Sequence, residues 1–498
     1  MKKLTSLILS LGLASAALFA ADRPNIVLIL ADDVSPDSFG CYGQPDATET
    51  PNIDRLADEG VAFNTCYSAA ICGPSRALIM TGKYPETTGV YHNGVWLGAS
   101  RRDLFTKQHS WAKLLRDSGY ATAIAGKWHC GALMPWGDPV GFDEYCVWEG
   151  PSKIKEHTGV DVYAEGLRDK SKDLSDYRYW YPSMARNGKY VEVQPDDYGP
   201  DISCEFLMDF MERMTEAKRP FMAYWPTVAP HGPYSTTPDF GEVGNLDVPK
   251  PNFQGMSREE KTAAIAKYEV ENKERFDHLV QYVDTLVGRL MAKAESLGID
   301  DNTYFIFCSD NGTASIAKNR GVERGVHVAY VIRGPGVKAQ GITAALTDFS
   351  DVAPTLMDIA GVEWPSEDAF DGVSQLPFLR GETDTQREWI YGYTGTAQVV
   401  RTQNYLMEAR DHVLNNPDGR LYYTGESRFG QGYERVDTNP EHAKGREAIE
   451  QILTGLPALM PDNPYWQDKK GKNWLKEYSQ ATDKFHHNHE RYRFYDEE

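Results

Sequence analysis

Residues 25–33 read NIVLILADD, an unbroken apolar run followed at once by two carboxylates. A run without polar alternation predicts a strand that is buried on both faces, as in a parallel sheet covered by helices. A second such run, TYFIFC at 303–308, precedes Asp310 and Asn311. In open α/β sheets ligands bind beyond the carboxyl ends of the strands, so we expect these side chains to meet Asp32 and Asp33 there.

Two more apolar runs and several helix boundaries predict the rest of this architecture. The runs at 121–125 and 221–225 predict further buried strands. Helix start and stop residues predict helices between the following pairs: Thr50 and Gly60, Ser110 and Gly119, Ser257 (with Glu260 as a capping box) and Gly298, and Ser350 and Gly361. Strands that alternate with helices predict an α/β fold with a doubly wound, mostly parallel sheet flanked by helices.

The composition changes beyond residue 381. Tyr, Gln, Asn and charged residues become frequent, and the segments 390–393 and 398–401 alternate as short antiparallel strands do. We therefore predict a catalytic domain over residues 22–383 and a smaller C-terminal α+β subdomain with a short antiparallel sheet over 384–498. Its helical stretch is predicted at 440–452, and the run HHNHERYR at 486–493 is interpreted as a solvated tail or pocket rim rather than a metal site.

The N-terminus has the pattern of an export signal. Lys2 and Lys3 precede an apolar run at 4–13 and small residues up to 21, which predicts a signal peptide over residues 1–21. This run is too short for a membrane span and no other stretch is a candidate, so we expect a periplasmic or secreted protein without a transmembrane segment. The net charge of -20 argues against nucleic acid as a partner.

The seven cysteines have no CxxC or zinc spacing. In an exported chain up to six of them could form three disulfides, which would leave one cysteine unpaired. The sequence does not determine which cysteines pair.

Residues 72–82, CGPSRALIMTG, predict a short helix suited to an anion. Pro74 is tolerated in a first turn and Gly82 stops the helix, so Cys72 lies at the N-terminus, where free N–H groups favour a negative charge. Arg76 adds a planar, permanently charged guanidinium group, which suits the binding of oxyanions. A buried capping cysteine would give the same pattern. A cysteine phosphatase would need a longer loop than the three residues between Cys72 and Arg76.

CGPSR followed by LIMTG resembles the signature of the type I, formylglycine-dependent sulfatases of the alkaline phosphatase superfamily. The resemblance continues through DVAPTLMDIAGV and DGVSQLPFLRG, and so covers about residues 25–381. It implies that Cys72 is oxidised to formylglycine by a formylglycine-generating or anaerobic sulfatase-maturating enzyme. The hydrated aldehyde is then the nucleophile, and Arg76 holds it in place.

The acidic strand ends predict a metal site. Asp32, Asp33, Asp310 and Asn311 all offer oxygen, which favours Ca²⁺, with Mg²⁺ as the alternative, over zinc. Both pairs match the sulfatase pattern in type and order, and the resemblance adds the modified Cys72 as a ligand.

Histidines and lysines follow the other two runs. Lys127 and His129 lie in GKWHCG after 121–125, and His231 lies in PTVAPHGP after 221–225. Two histidines offer an acid and a base with pKa values near neutrality. The resemblance implies that Lys127 contacts the sulfate and that His129 deprotonates the aldehyde hydrate. It also implies that His231 assists the leaving alcohol.

Lys318 matches the family's downstream lysine, which acts with the histidine on the leaving alcohol. The surrounding segment departs from the family at Arg324, His327 and Ala329, and Arg320 is the alternative to Lys318.

Together these implied roles describe sulfate-ester hydrolysis. Export and abundant aromatic residues favour a sulfated carbohydrate, either a polysaccharide or a host glycan, and the insertion at 160–198 is interpreted as a sugar-stacking surface or as packing. Expected pocket-rim residues are His92, Asn93, Trp96, Arg101, Arg102 and Arg401. Two alternatives remain open: a phosphodiesterase or phosphonate monoester hydrolase of the same superfamily, and a non-catalytic sulfoglycan-binding protein.

Overall fold

The structure is a computed structural model that describes residues 23–97, 104–131, 134–167, 177–240, 256–313, 318–467 and 471–476. The predicted signal peptide, Arg101, Arg102 and the run 486–493 lie outside these ranges. Within them, no helix combines the length and apolar character that a membrane span requires.

The described strands, in chain order, are β1 (Asn25–Ala31), β2 (Val61–Tyr67), β3 (Val90–His92), β4 (Val95–Trp96), β5 (Ala121–Lys127), β6 (Glu144–Trp148), β7 (Met184–Arg186), β8 (Lys189–Tyr190), β9 (Phe221–Pro226), β10 (Thr303–Ser309), β11 (His327–Val328), β12 (Tyr330–Arg333), β13 (Gly341–Asp348), β14 (Trp389–Thr394), β15 (Ala397–Thr402), β16 (Tyr405–Asp411), β17 (Arg420–Tyr423) and β18 (Glu434–Arg435).

The described α-helices are α1 (Pro51–Asp58), α2 (Cys72–Thr81), α3 (Pro85–Thr88), α4 (Leu104–Lys107), α5 (Trp111–Asp117), α6 (Pro151–Thr158), α7 (Gly199–Glu216), α8 (Arg258–Ser296), α9 (Glu323–Val326), α10 (Val352–Ala360), α11 (Leu376–Leu379) and α12 (Ala443–Thr454). Four of them, α1, α5, α8 and α10, confirm the helices predicted from start and stop residues. The predicted capping box is present, since Ser257 Oγ accepts from the Glu260 N–H and the Glu260 carboxylate accepts from the Ser257 N–H.

The main sheet of the described chain has 11 strands in the order β11-β2-β12-β10-β1-β9-β5-β6-β7-β8, with β13 paired to β2. The strands β10, β1, β9, β5 and β6 at its centre are parallel. Towards both edges the pairs β10–β12, β2–β12, β6–β7 and β7–β8 are antiparallel. The pair β2–β13 near one edge is parallel again. The α/β prediction is therefore confirmed, with a mixed sheet whose central strands are parallel.

The β1 strand lies between two hydrophobic cores. Ile26, Leu28 and Leu30 belong to one core cluster, while Val27 and Ile29 belong to the other. Successive residues of a strand point to opposite faces, so a strand buried on both faces needs an apolar residue at every position. This is the physical reason for the unbroken run.

A separate antiparallel sheet, β14-β15-β16-β17-β18, follows the main sheet in the chain. It confirms the predicted short C-terminal antiparallel sheet, and helix α12 confirms the predicted helical stretch. The domain boundary at 383/384 stays a prediction, five residues before this second sheet begins at Trp389.

Arg401 of β15 is not a pocket-rim residue, in contrast to our expectation. Its side chain is fully buried and pairs with the buried carboxylate of Glu323. It also donates to Tyr433 Oη at 2.5 Å and to the Ser427 carbonyl at 2.7 Å. The sequence could not show this, because an inward-facing arginine is recognised only by its partner.

All seven cysteines are free; Cys41 is partly exposed and the others are buried.

Candidate active site

The predicted nucleophile lies at the first residue of a buried helix. Helix α2 begins at Cys72, contains Pro74 in its first turn and ends at Gly82, which has φ 63°. Ser75 Oγ donates to the Ala69 carbonyl at 2.7 Å and so ties the first turn to the preceding segment. The Cys72 side chain is therefore presented at the positive end of a helix, as the sequence predicts.

Four oxygen-bearing side chains meet beside this cysteine. Ala31 and Ser309 are register partners at the ends of β1 and β10, so Asp32 and Asp310 follow side by side. The Asp33 N–H donates to Asp310 Oδ1 at 2.9 Å, and Asn311 Nδ2 donates to Asp33 Oδ1 at 2.9 Å. One ligand atom each of Asp32, Cys72 and Asp310 lies within 4.8 Å of the others. Asp33 has φ 65°, a left-handed conformation that redirects its side chain at the strand end.

This group of side chains fits a divalent cation. Asp32 Oδ1 and Asn311 Oδ1 are buried and have no hydrogen-bond partner among the described residues. A buried oxygen without a partner is costly, and a hard cation would satisfy both. Burial and then the charge of Asp32 raise the pKa of Asp310 well above its usual range. These carboxyl groups therefore need more positive charge to ionise together.

Arg76 and Lys127 supply part of that charge. Arg76 Nη2 lies 3.0 Å from Asp310 Oδ2 and 3.5 Å from Asp32 Oδ2, and its Nη1 donates to the Lys127 carbonyl at 2.9 Å. Lys127 Nζ lies 2.5 Å from Asp32 Oδ2. Burial disfavours the Asp32 charge, but Lys127 and the other cations outweigh it and hold the pKa of Asp32 well below its usual range.

His129 follows Lys127 in a left-handed conformation with φ 47°. The residue is exposed to solvent. Desolvation by the surrounding protein, followed by the charge of Lys127, lowers the pKa of its imidazole well below the usual range. A neutral imidazole that is open to solvent can accept a proton.

His231 and Lys318 lie together beside Asp33. His231 Nε2 is 3.1 Å from Lys318 Nζ and 3.3 Å from Asp33 Oδ2, and Lys318 Nζ is 2.6 Å from Asp33 Oδ2. Burial opposes the charge of Lys318, but the acidic groups around it, Cys72 and Asp33 first, raise its pKa above the usual range. Desolvation lowers the pKa of His231 despite the opposing charge of Asp32.

The three residues that depart from the family pattern lie in the part of this segment that the structure describes, which begins at Lys318. Lys318, rather than Arg320, is the cation placed beside His231. Arg324 pairs with Asp37 at 3.2 Å. His327 is buried with Nε2 2.9 Å from the Asn64 carbonyl, and Ala329 accepts from the Ser309 N–H at 3.2 Å.

Arg178 was missed by the sequence reasoning, which interpreted its segment as a sugar-stacking surface or as packing. It is buried, lies 5.1 Å over the Trp148 ring and donates from Nη1 to the Gly232 carbonyl at 2.5 Å. The same nitrogen contacts His231 Nδ1. No local pattern could reveal this contact, because 53 residues separate Arg178 from His231.

The remaining rim predictions concern the β3–β4 hairpin. Asn93 contacts residue 72 directly, with Nδ2 3.7 Å from Cys72 Sγ. His92 Nε2 is 2.8 Å from Asn319 Oδ1, next to Lys318, and Trp96 Nε1 donates to the Asn93 carbonyl at 3.2 Å. This hairpin is therefore part of the wall beside the cysteine.

Comparison with known proteins gives consistent matches. The Sulfatase family model matches residues 24–362. The N-acetylgalactosamine-6-sulfatase of Canis lupus familiaris is 30% identical over 434 residues, 80% of this chain and 74% of that protein. The N-acetylglucosamine-6-O-sulfatase of Bacteroides thetaiotaomicron is 26% identical over 531 residues, 89% of this chain and 87% of that protein. The crystal structure of Ps i-CgsB has a TM-score of 0.68 at 24% identity, covers 88% of this chain and 94% of that one, and supports the fold alone.

Proposed function

Because this chain belongs to the sulfatase family, the type I sulfatases of the alkaline phosphatase superfamily, and is a sulfuric ester hydrolase, we propose that it removes sulfate from a sulfated carbohydrate. The nucleophile is formylglycine made from Cys72 by a maturating enzyme, and a divalent cation, Ca²⁺ or Mg²⁺, assists. The two relatives named above are 6-sulfatases of N-acetylhexosamines. A sulfated amino sugar is therefore the first substrate class to test.

The observation that carries this proposal is the position of Cys72. It is the first residue of a helix, and a ligand atom of it lies within 4.8 Å of ligand atoms of Asp32 and Asp310. A merely structural cysteine has no need for two carboxylates at this range, or for the arginine and the lysine that pair with those carboxylates.

The cation would be held by Asp32, Asp33, Asp310, Asn311 and the modified residue 72, whose oxygen-bearing groups match its preference. When bound, it polarises an oxygen of the sulfate group. Arg76 and Lys127 lie on the helix side of the same cluster, where they bind and neutralise the sulfate oxygens. The rigid sheet ends and the buried helix hold these cations in place before substrate arrives, which reduces the reorganisation needed in the transition state.

His129 and the pair of His231 and Lys318 have different roles in the reaction. His129, neutral and open to water, accepts a proton from the nucleophilic residue. Lys318 and His231, 3.1 Å apart, supply and orient the proton needed by the leaving alcohol. Their shared contact with Asp33 keeps the leaving-group side rigid.

Export through the signal peptide 1–21 to the periplasm or outside the cell is part of this proposal. An exported enzyme meets sulfated glycans directly, without nucleic acid as a partner. The C-terminal subdomain contributes to the substrate side, because Trp474 Nε1 lies 3.2 Å from His92 Nδ1 on the hairpin beside Cys72.

The proposal is tested with protein from a host that contains the maturation machinery. We expect the tryptic peptide ending at Arg76 to have lost sulfur and gained an aldehyde, and chelation followed by Ca²⁺ or Mg²⁺ to remove and restore activity. Cys72→Ser is expected to abolish turnover of 6-sulfated N-acetylgalactosamine and N-acetylglucosamine. Cys204→Ser, a buried change on α7, is the matched control that keeps it.

An unmodified thiol in a fully competent host would refute the formylglycine mechanism. A phosphate diester turned over faster than every sulfate ester would instead favour the phosphodiesterase or phosphonate hydrolase alternative. Binding of sulfated glycan without any turnover would favour the binding-protein alternative.

A further inference from the structure

Asn93 occupies the tip of the β3–β4 hairpin and faces the start of helix α2. Its Oδ1 accepts from the Gly73 N–H at 3.0 Å, and its Nδ2 donates to Cys72 Sγ at 3.7 Å. One amide side chain thus contacts both the nucleophilic residue and the backbone N–H that follows it. Neither contact is needed for the metal site or for the cationic cluster described above.

The orientation of this amide is determined by its partners. The Gly73 N–H is only a donor, so the Asn93 atom that faces it must be the carbonyl oxygen. The amide nitrogen, which is only a donor, is then directed at residue 72. Gly73 is also the residue that permits this approach, because a Cβ at position 73 would lie 2.4 Å from Asn93 Oδ1.

The Sγ atom of Cys72 stands in for the oxygens of the modified residue. In the aldehyde and in its hydrate, the oxygens are bonded to the same Cβ that carries Sγ in the unmodified protein. We propose that Asn93 is a positioning residue that donates from Nδ2 to an oxygen of residue 72 and thereby favours the hydrated, nucleophilic form. This inference rests on the proposed function, since it needs formylglycine at residue 72.

The step affected is the addition of water to the aldehyde. The water oxygen bonds to the carbonyl carbon, the carbon–oxygen π bond breaks, and protons end on both oxygens, so no oxidant or reductant is involved. The carbon of the hydrate is tetrahedral like the Cβ of cysteine, whereas that of the aldehyde is planar. A hydroxyl oxygen of the hydrate therefore takes the place of Sγ within reach of Asn93 Nδ2, and the hydrogen bond it accepts there stabilises the hydrate. It also leaves the proton of that hydroxyl directed away from Asn93.

The hairpin that carries Asn93 is held from two sides. Trp96 Nε1 donates to the Asn93 carbonyl at 3.2 Å. Trp474 Nε1, only a donor, lies 3.2 Å from His92 Nδ1, so His92 donates from Nε2 to Asn319 Oδ1 at 2.8 Å. Asn93 is therefore placed by packing from the C-terminal segment as well as by its own turn.

The test uses Asn93→Leu and Asn93→Asp in the full-length, matured protein. Leucine keeps the size of the side chain and removes both hydrogen bonds. Aspartate keeps an acceptor for the Gly73 N–H and removes the donor. The readout besides activity is the rate of oxime formation at residue 72 with an aminooxy probe, measured on native protein and divided by the rate in urea-unfolded protein.

We expect this native-to-unfolded ratio to rise about tenfold in Asn93→Leu, the equivalent of one hydrogen bond. We expect kcat on a sulfated sugar to fall about tenfold or more in both variants, with melting temperature retained in Asn93→Asp. If Asn93 only capped the helix, Asn93→Asp would keep the wild-type kcat while Asn93→Leu lost it. Repulsion of the sulfate group by the new carboxylate would also lower the rate of Asn93→Asp. The labelling ratio of Asn93→Leu adds no charge and needs no substrate, and therefore reports the hydration of residue 72 separately.

A wild-type kcat in Asn93→Asp, or a wild-type labelling ratio in Asn93→Leu, would overturn the inference. Failure of the proposed function looks different, since unfolded wild-type protein would then take up no aminooxy probe. Unfolded labelling also corrects for any change in formylglycine content between variants.

Discussion

The pair formed by Lys318 and His231 makes a sharp prediction about the leaving group. Lys318 Nζ and His231 Nε2 lie 3.1 Å apart and both contact Asp33, whereas Lys127 contacts Asp32. If this pair protonates the leaving alcohol, its removal harms only substrates whose leaving group needs a proton. Lys318→Met keeps the length of the chain and removes the proton.

The expected size follows from general acid catalysis, which contributes about 10²- to 10⁴-fold. We expect Lys318→Met to lower kcat/KM by this factor on a sulfated sugar, whose leaving group is a poorly acidic alcohol. On a nitroaryl sulfate the leaving phenolate departs without a proton, so the loss should be about tenfold or less. Lys318 and His231 act as one unit. The fall in kcat/KM on the sulfated sugar in the Lys318→Met, His231→Gln double variant should therefore be much smaller than the product of the falls in the two single variants.

Lys127→Met is the matched control. Lys127 contacts Asp32 on the metal side and is assigned to the sulfate oxygens, so its loss should be the same on both substrates. Steady-state kinetics with one sugar sulfate and one nitroaryl sulfate decide the matter. Equal losses on the two substrates in Lys318→Met would refute the assignment of this pair to the leaving group.

Three further predictions concern stability and the metal. Arg401→Met should lower the free energy of unfolding by about 3–5 kcal/mol, since it leaves the Glu323 carboxylate buried without its cation. Adding Glu323→Gln should restore part of this loss, as measured by urea titration. A double variant less stable than Arg401→Met would contradict the prediction. Burial raises the pKa of Glu86 from 4.5 to about 7, so its stabilising contribution is complete below pH 4.5 and is lost as pH rises through 7, by about 3 kcal/mol in total. Glu86→Gln should flatten that pH dependence, and an unchanged slope would contradict it. Asn311→Leu should weaken metal retention at least tenfold in a chelator titration, whereas unchanged retention would remove Asn311 from the ligand set.

Local patterns predicted those parts of the protein in which neighbouring residues determine the structure. The apolar run at 25–31 predicts β1, because both faces of that strand are covered. Pro74 and Gly82 predict the limits of helix α2, because each restricts the backbone at its own position. The positions of Asp32, Asp33, Asp310 and Asn311 at strand ends could be expected for the same reason.

Contacts between distant segments could not be predicted in this way. Arg178 lies in a segment whose aromatic residues indicate only packing or stacking, and its contact with His231 depends on how that segment folds back over the sheet. Arg401 has the same residue type as a substrate-binding arginine, and only the buried Glu323 beside it shows a structural role. Asn93 was expected at a pocket rim, but its amide orientation follows from Gly73, which the chain places opposite it.

The sequence by itself determined the strand ends, the nucleophile helix and the kinds of side chain available for chemistry, because these depend on interactions within a few residues. The tertiary structure decided which of those groups meet. Asp33 and Asp310 are 277 residues apart, yet their contact at 2.9 Å follows from the parallel pairing of β1 with β10. Strand order is a property of the packed sheet, set by how whole elements bury their apolar faces, and so no short stretch of sequence contains it.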